Sequence, residues 1–530
     1  MLQSLKTTRG MVTASHHLAA QAGLRVLREG GNAIEAMVAA AACISVVYPH
    51  MNGLGGDGFW LISTPGRRAP RGIQAVGRAA QDIDAPWYRS QGLEAIPVRG
   101  PMAANTVAGT VAGWAKALEI SAEWGGRLPL ERLFEDAEFY ARDGVAVTQS
   151  QHENTVAKCD ELREVPGWAE IFLKDGKAYA PGELFRQPAL AATLRRLASA
   201  GLDDFYHGEL ANSLAADLER VGCPVTAADL AAHRALEVEP LSVRLREASL
   251  YNMPPPCQGL ASLIILALFE RCAIAEADGF DYMHNIVEAT KQAIMTRNRY
   301  VTDPEYMQVD PRDLLCEDFL AKLAARMDPE QALPWPQPGV PGDTVWLGAV
   351  DGAGRAVSFI HSIYWEFGSG VVLRDTGIQC QNRGSSFSLN DHEQNYLRPG
   401  RLPFHTNNPA MALFDDGRVM VYGAMGGEGQ PQTQSAVYSR YALYGQGLQQ
   451  AITAPRWVLS RTWGDPRTDL RLEGRFPKTL IESLRAAGHD VNRVEDFHQQ
   501  MGHAGAIVLH PSGVMEGAND PRCDGLAAGF

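Results

Sequence analysis

The sequence predicts an α+β protein with helices concentrated before residue 343 and strands after it. Three observations carry this. Apolar residues recur at helical spacing in several stretches of the first part. The segment Leu333 to Asp343, Leu-Pro-Trp-Pro-Gln-Pro-Gly-Val-Pro-Gly-Asp, packs four prolines and two glycines into eleven residues. Directly after it, β-prone runs replace the helical period.

In chain order, His17 to Glu29 reads as a helix stopped by Gly30-Gly31, and Asn32 is placed to cap a second helix over Ala33 to Val47. The second is the most apolar stretch of the chain. It contains Glu35 and is shorter than the roughly 20 residues a bilayer span needs, so it reads as a buried helix. Phe59 to Ile62 reads as a strand. Further helices are expected over Ala104 to Trp124, Pro188 to Ala200, His207 to Val221, Ala261 to Ala273 and Tyr282 to Arg299. The Pro/Gly segment reads as an exposed, structureless connector. Beyond it, Val345 to Val350 and Arg355 to Ile363 flank Asp351-Gly352-Ala353-Gly354, a hairpin signature. A four-residue turn there sets Thr344 opposite His361 and beside Ser362, and a slip of one residue exchanges those faces. Strands are also expected at Ala410 to Phe414, Val419 to Tyr422 and Ala506 to His510.

At 530 residues the chain is long enough for about three domains of roughly 150 residues, or for one large multilayer fold. Lys and Arg number 48 against 61 Asp and Glu, a net charge of −13, which argues against nucleic acid or an anionic membrane as partner. The eight cysteines are at least 15 residues apart, with no C-x-x-C pair, as expected of free thiols in a reducing compartment. The first residues lack the pattern of a secretory signal, so a cytoplasmic address is expected.

Thr344 sits where the connector meets a strand. A threonine hydroxyl is a poor nucleophile without a base, and a break between Asp343 and Thr344 would supply one, because the new α-amine has an unperturbed pKa of roughly 7.7 to 8.0. Taken alone, the position reads more readily as an ordinary strand threonine. Tyr422 to Gly429 runs a strand into glycines at 423, 426, 427 and 429. Adjacent glycines can aim two N–H groups at one oxygen, as an oxyanion hole requires, and an isolated pair more often makes only a tight turn. Gly53-Leu54-Gly55-Gly56-Asp57-Gly58 matches G-x-G-x-x-G, but a helix precedes it and a strand follows, the reverse of a dinucleotide fingerprint. The sequence carries no G-x-S-x-G, H-E-x-x-H or P-loop motif, and His16, His17 and His50 have no ligand-like companions, so neither metal nor cofactor is expected.

Several segments, taken together and in order, resemble the γ-glutamyltranspeptidase family of N-terminal-nucleophile hydrolases. They are Gly30 to Ala33, Pro49-His50 with Gly53 to Phe59, Met253 to Pro256, Asp303-Pro304, Asp343-Thr344 with its hairpin, Phe367 to Gly370, Ala454 to Arg456, and Asp520 to Arg522 with Ala528 to Phe530. The resemblance implies a four-layer αββα sandwich made as one precursor that cleaves itself between Asp343 and Thr344. Residues 1–343 would form the large subunit and 344–530 the small one, in one intertwined catalytic fold, with pairing of two such heterodimers left open. It also implies Thr344 as nucleophile, Ser362 as the hydroxyl that orients it, and Gly426 and Gly427 as the oxyanion glycines.

The departures from the family pattern bear on substrate. Where transpeptidases hold the glutamyl ammonium with an asparagine, a glutamine and an aspartate, this chain has Tyr364, Arg383 and Ser386. Burying an ammonium beside a guanidinium with no acid costs several kcal/mol. The family's carboxylate-binding arginine aligns near Pro86 and Trp87, its companion serines become His405-Thr406, and Arg78 is a nearby arginine without an assigned place. Arg383 can take a carboxylate in its planar fork, unless it serves a structural ion pair. A small carboxylate amide lacking an α-amine is therefore the expected substrate. Gln381 to Phe387 and His405 to Pro409 look like the amidohydrolase branch of the family, which makes oxamate the best fit, ahead of γ-glutamyl compounds or a glutaryl-type amide.

Overall fold

The computed structural model describes residues 3–336, 343–460 and 467–530. Among them, two seven-stranded sheets stack face to face. The first runs Leu526–Gly529, Gly10–Ala14, Asp343–Asp351, Ala356–Tyr364, Asp57–Ser63, Arg71–Ala75, Leu236–Val238, and every neighbouring pair is antiparallel. The second runs Leu5–Thr7, Met515–Asn519, Ala504–Leu509, Val419–Ala424, Ala410–Phe414, Ala248–Asn252, Leu241–Arg244. Met11, Phe59, Leu61, Trp346, Ile360, Met411, Val421 and Ile507 are buried between them. The outer face of the first sheet is covered by helices that include His17–Arg28, Ala33–Val47 and Thr110–Glu123. That of the second is covered by Gly259–Arg271, Phe280–Tyr300 and Gln430–Tyr438. This is the αββα sandwich that the resemblance implied.

Local chemistry explains the elements read correctly. Ala33–Val47 forms over the expected residues because Asn32 Oδ1 accepts from the amides of Ile34 and Glu35, while Glu35 Oε2 accepts from the amide of Asn32. The charge of Glu35 is thereby used inside a helix with no exposed face, and no helix among the described residues is long and apolar enough to cross a membrane. Pro188–Ala200 is also as expected. The eight cysteines are free.

Other expectations need correction. The helix expected from Ala104 begins only at Thr110, since residues 104–109 form no regular helix, with Val107 N–H donating to Arg78 O and Ala79 bridging Thr106. The helix expected from His207 is two helices, Asp204–His207 and Glu209–Val221, separated by Gly208. The connector is not wholly free. Leu333 N–H donates to Glu288, Lys291 donates to Leu333 O, and the Trp335 indole donates to Ser460 at 2.7 Å. Its residues 337–342 lie outside the described residues. The strands also divide differently from expectation, because half of the fourteen come from before residue 343.

The hairpin register is one residue from the expected one. Val345 pairs with His361 and Val350 with Ala356, so the turn between Asp351 and Arg355 holds three residues. Asp351 Oδ1 accepts from the amides of Ala353 and Arg355, and Gly354 takes φ +78°, the left-handed conformation such a turn needs. A bulge at the strand entrance then pairs Asp343 with Tyr364, which leaves Thr344 opposite Ser362 and Ile363.

Candidate active site

Thr344 is completely buried at the head of an interior strand of the first sheet, Asp343–Asp351. Its Oγ1 donates to Asn407 Oδ1 at 3.0 Å and accepts from Gln430 Nε2 at 3.1 Å. Across the bulge, Ser362 Oγ accepts from the Tyr364 amide at 2.8 Å. That bond supports a strained residue: Tyr364 has φ +84°, costly for an aromatic side chain, and is buried nonetheless.

The result of that backbone turn is that the Tyr364 ring carries the Arg383 guanidinium, 3.9 Å from its centroid. Arg383 lies in the short turn Arg383–Ser386 and is fully buried. Its two terminal nitrogens reach only 3.4 Å contacts, one to Thr406 Oγ1 and one to Asn407 Oδ1, and its Nε has no hydrogen-bond partner among the described residues. Nor does it form an ion pair among them. Burial draws its pKa down to about 10, against the upward pull of Tyr364 and Asp57. A guanidinium so poorly partnered in the interior has the chemistry to hold an anion. One residue, Asn407, touches both the threonine hydroxyl and this cation.

The glycine turn lies against the same threonine. Gly426 (φ +118°) and Gly427 (φ +50°) precede the short helix whose first residue, Gln430, donates to Thr344. Gly429 N–H closes the turn onto Gly426 O at 2.7 Å. From beneath, Gln258 Nε2 donates to Gly427 O at 2.8 Å and also to Thr406 O. Arg297 fixes that amide by donating to Gln258 Oε1 at 2.7 Å and pairs with buried Glu428. Left-handed glycines so braced form the kind of backbone that presents N–H groups to an oxyanion.

His405 and Asp57 complete the cluster. Asp57 is the first residue of its strand, paired with Ser362, and its Oδ1 accepts from the amides of Gly77 and Gly109, both at 3.0 Å. Its Oδ2 is 3.5 Å from His405 Nε2. Burial pushes the Asp57 carboxyl up to about 7 despite Arg383, and burial together with Arg383 holds the His405 imidazole neutral, well below its usual range.

Of the residues singled out in the sequence, Thr344, Ser362, Tyr364, Arg383, His405, Thr406, Gly426 and Gly427 gather in one place. Asp343 is on the same strand, one residue before Thr344. Ser386 shares the turn of Arg383 but is half-buried, and its Oγ has no hydrogen-bond partner among the described residues. Arg78 is elsewhere. It pairs with Glu305 at 2.7 Å and donates to Gly400 O on a partly exposed surface. Asn407, Gln430, Gln258 and Asp57 were missed as site residues. Only Asp57, an acid interrupting a glycine run, left a signal in the sequence. The Gly55 and Gly56 around it let backbones close up, since a Cβ would meet Gln379 O at 2.1 Å and Ser362 O at 2.2 Å.

Comparison with known proteins places this geometry. The family model described as Gamma-glutamyltranspeptidase matches residues 19–530. The chain is 55% identical to the oxamate amidohydrolase proenzyme of Klebsiella pneumoniae subsp. pneumoniae, over 100% of both chains. It is 41% identical, again over 100% of both, to the glutathione hydrolase-like YwrD proenzyme of Bacillus subtilis. Among solved structures, the cephalosporin acylase of Bacillus halodurans superposes with a TM-score of 0.91 at 35% identity, covering 100% of this chain and 97% of that one.

Proposed function

Because the chain belongs to the γ-glutamyltranspeptidase family and is an enzyme of the N-terminal-nucleophile amidohydrolase type, we propose that it is a self-cleaving hydrolase of small carboxylate amides, with oxamate as substrate. The contact that carries this reading is Asn407, shared between the Thr344 hydroxyl and the buried, underpartnered Arg383. It sets a cation for a substrate carboxylate beside the atom that would attack the amide.

In the precursor, Thr344 Oγ1 adds to the Asp343 carbonyl, and the C–N bond breaks to leave an ester that water hydrolyses. The products are a large subunit ending at Asp343 and a small subunit beginning with Thr344. The freed α-amine then takes the proton from Oγ1 as it attacks the oxamate amide. Gly426 and Gly427 hold the tetrahedral oxyanion while the amine returns the proton to the leaving ammonia. Water releases oxalate from the acyl-threonine. Ser362 keeps the hydroxyl oriented, and Arg383, seated on Tyr364 with His405, Thr406 and Ser386 around it, binds the carboxylate.

The relatives support both halves of this reading: one is named as an oxamate amidohydrolase and two as proenzymes. The acylase neighbour favours a second reading, a longer acyl chain in the same pocket. Ammonia release from oxamate, glutaramate and γ-glutamyl amides separates the two. Oxamate should be turned over fastest, and preference for a γ-glutamyl amide would refute the pocket assignment. Thr344→Ala should remain a single chain on a denaturing gel; its maturation without protease would overturn the cleavage chemistry.

A further inference from the structure

Asp57 has no part in the chemistry just described, yet it is an acid with no exposed surface placed next to the site. Its two oxygens have different surroundings. Oδ1 is saturated by the Gly77 and Gly109 amides, whereas Oδ2 has no hydrogen-bond partner among the described residues. The group placed against Oδ2 is His405, whose Nε2 is 3.5 Å away and neither of whose ring nitrogens has a hydrogen-bond partner among the described residues. A carboxylate oxygen buried with no closer donor favours its protonated form.

The charged and titratable groups that face Asp57 come from three elements. They are Arg383 on its turn, His405 on the segment before the Ala410–Phe414 strand, and Tyr206 on the Asp204–His207 helix. Burial keeps His405 neutral and raises the Tyr206 hydroxyl far above its usual value, so Arg383 is the only cation among them.

We propose that Asp57 is a specificity-determining residue that balances Arg383: where it is ionised in the empty pocket, it takes one proton from solvent onto Oδ2 when a substrate carboxylate settles on the guanidinium. This rests on Arg383 as the carboxylate site. Two anions served by one buried guanidinium repel each other, and protonating Asp57 removes the repulsion. The new O–H faces His405, whose neutral ring has one acceptor nitrogen. The empty-site value near 7 places the exchange at physiological pH. The pocket accepts a monoanion with a proton and disfavours a substrate bearing an ammonium, since the proton-loaded Asp57 offers that ammonium no charge.

The sign follows from linkage. Below about pH 7 Asp57 is already protonated and carboxylate affinity is independent of its titration; above it, each bound carboxylate must draw in a proton, so affinity falls by up to tenfold per pH unit. The test uses mature wild-type enzyme and oxalate as a competitive inhibitor. Its Ki should be flat from pH 5.5 to about 7 and climb above that, and Asp57→Asn, which keeps an oxygen for the two glycine amides, should abolish the climb. A climb that survives in Asp57→Asn overturns the proposal by assigning the titration to the Thr344 amine, and so does a flat wild-type profile. If Asp57→Asn does not mature, difference infrared spectra of the wild type at pH 8 decide: oxalate should produce a protonated-carboxyl band, and no such band overturns the proposal. Arg383→Gln separates this idea from its foundation. If that variant binds oxalate as well as wild type, the carboxylate site itself is wrong; if it loses oxalate while the wild-type titration is flat, only the role of Asp57 falls.

Discussion

Replacing Arg383 with Gln removes the charge and fork of a guanidinium that makes no ion pair among the described residues, and its effect can be worked from the site. In the empty enzyme the side chain has two contacts at 3.4 Å and the Tyr364 face at 3.9 Å. Stacking of this kind contributes about 0.5 to 2 kcal/mol, and desolvation of the buried cation offsets it, so unfolding free energy should change by no more than about 1 kcal/mol. With substrate bound, the loss is one charge-assisted contact, about 1.5 to 3 kcal/mol, or roughly one to two decades in kcat/KM for oxamate. Self-cleavage should proceed, since Asp343, Thr344 and the glycine turn are untouched. The assay is ammonia release by the matured variant, with a thermal melt alongside it. Oxamate hydrolysis at the wild-type rate would refute the assignment of Arg383. A melt lowered in step with activity would reassign it to structure.

Two further predictions follow from other parts of the molecule. With the Thr344 amine as base, kcat at saturating oxamate should rise with pH through the amine's pKa and level off, and a chelator should leave it unchanged; stopped-time ammonia assays check both. Asp520 is buried between Arg456 at 2.6 Å and Arg522 at 3.0 Å, and its Oδ2 also accepts from the Ala504 amide. Asp520→Asn leaves the buried Arg456 guanidinium without its anion, while Arg522 keeps Glu473 at 2.7 Å, and should cost about 3 to 5 kcal/mol in urea unfolding. These arginines, and His503, hold the wild-type carboxyl down at about 2 although burial opposes them, so its stabilisation is full above about pH 4 and is lost as pH falls toward 2.

What the sequence made legible was local. Asn32 and Glu35 form a capping box within four residues, and the helix they start was placed to the residue. Thr344 and the glycines at 426 and 427 were singled out by the family resemblance, and Arg383 by a departure from its pattern. The hairpin register depended on whether Arg355 belongs to turn or strand, a choice made by Asp351 Oδ1 bonding two amides, which no composition rule weighs. Residues 104–109 were read as the start of a helix, but Val107 N–H goes to Arg78 O, and Gly77 lets the chain lie against Val107, where a Cβ would sit 1.6 Å from its carbonyl oxygen. Asp57, Gln258 and Asn407 acquire meaning only when distant segments meet. Asp57 is 348 residues from His405 in sequence and 3.5 Å from it in space.

The order of the strands has a consequence for the life of the molecule. In the first sheet the two strands at and after Thr344 lie between Gly10–Ala14 and Asp57–Ser63, and in the second sheet Leu5–Thr7 borders Met515–Asn519 while Ala248–Asn252 borders Ala410–Phe414. For a chain cut before Thr344, the halves cannot part without tearing both sheets along several edges, and no free half presents a finished surface for a fresh mate. Each molecule would therefore keep for life the partner it was synthesised with. Damage to either half would retire both, dilution would not disarm the enzyme, and the cell could renew it only by making another whole chain.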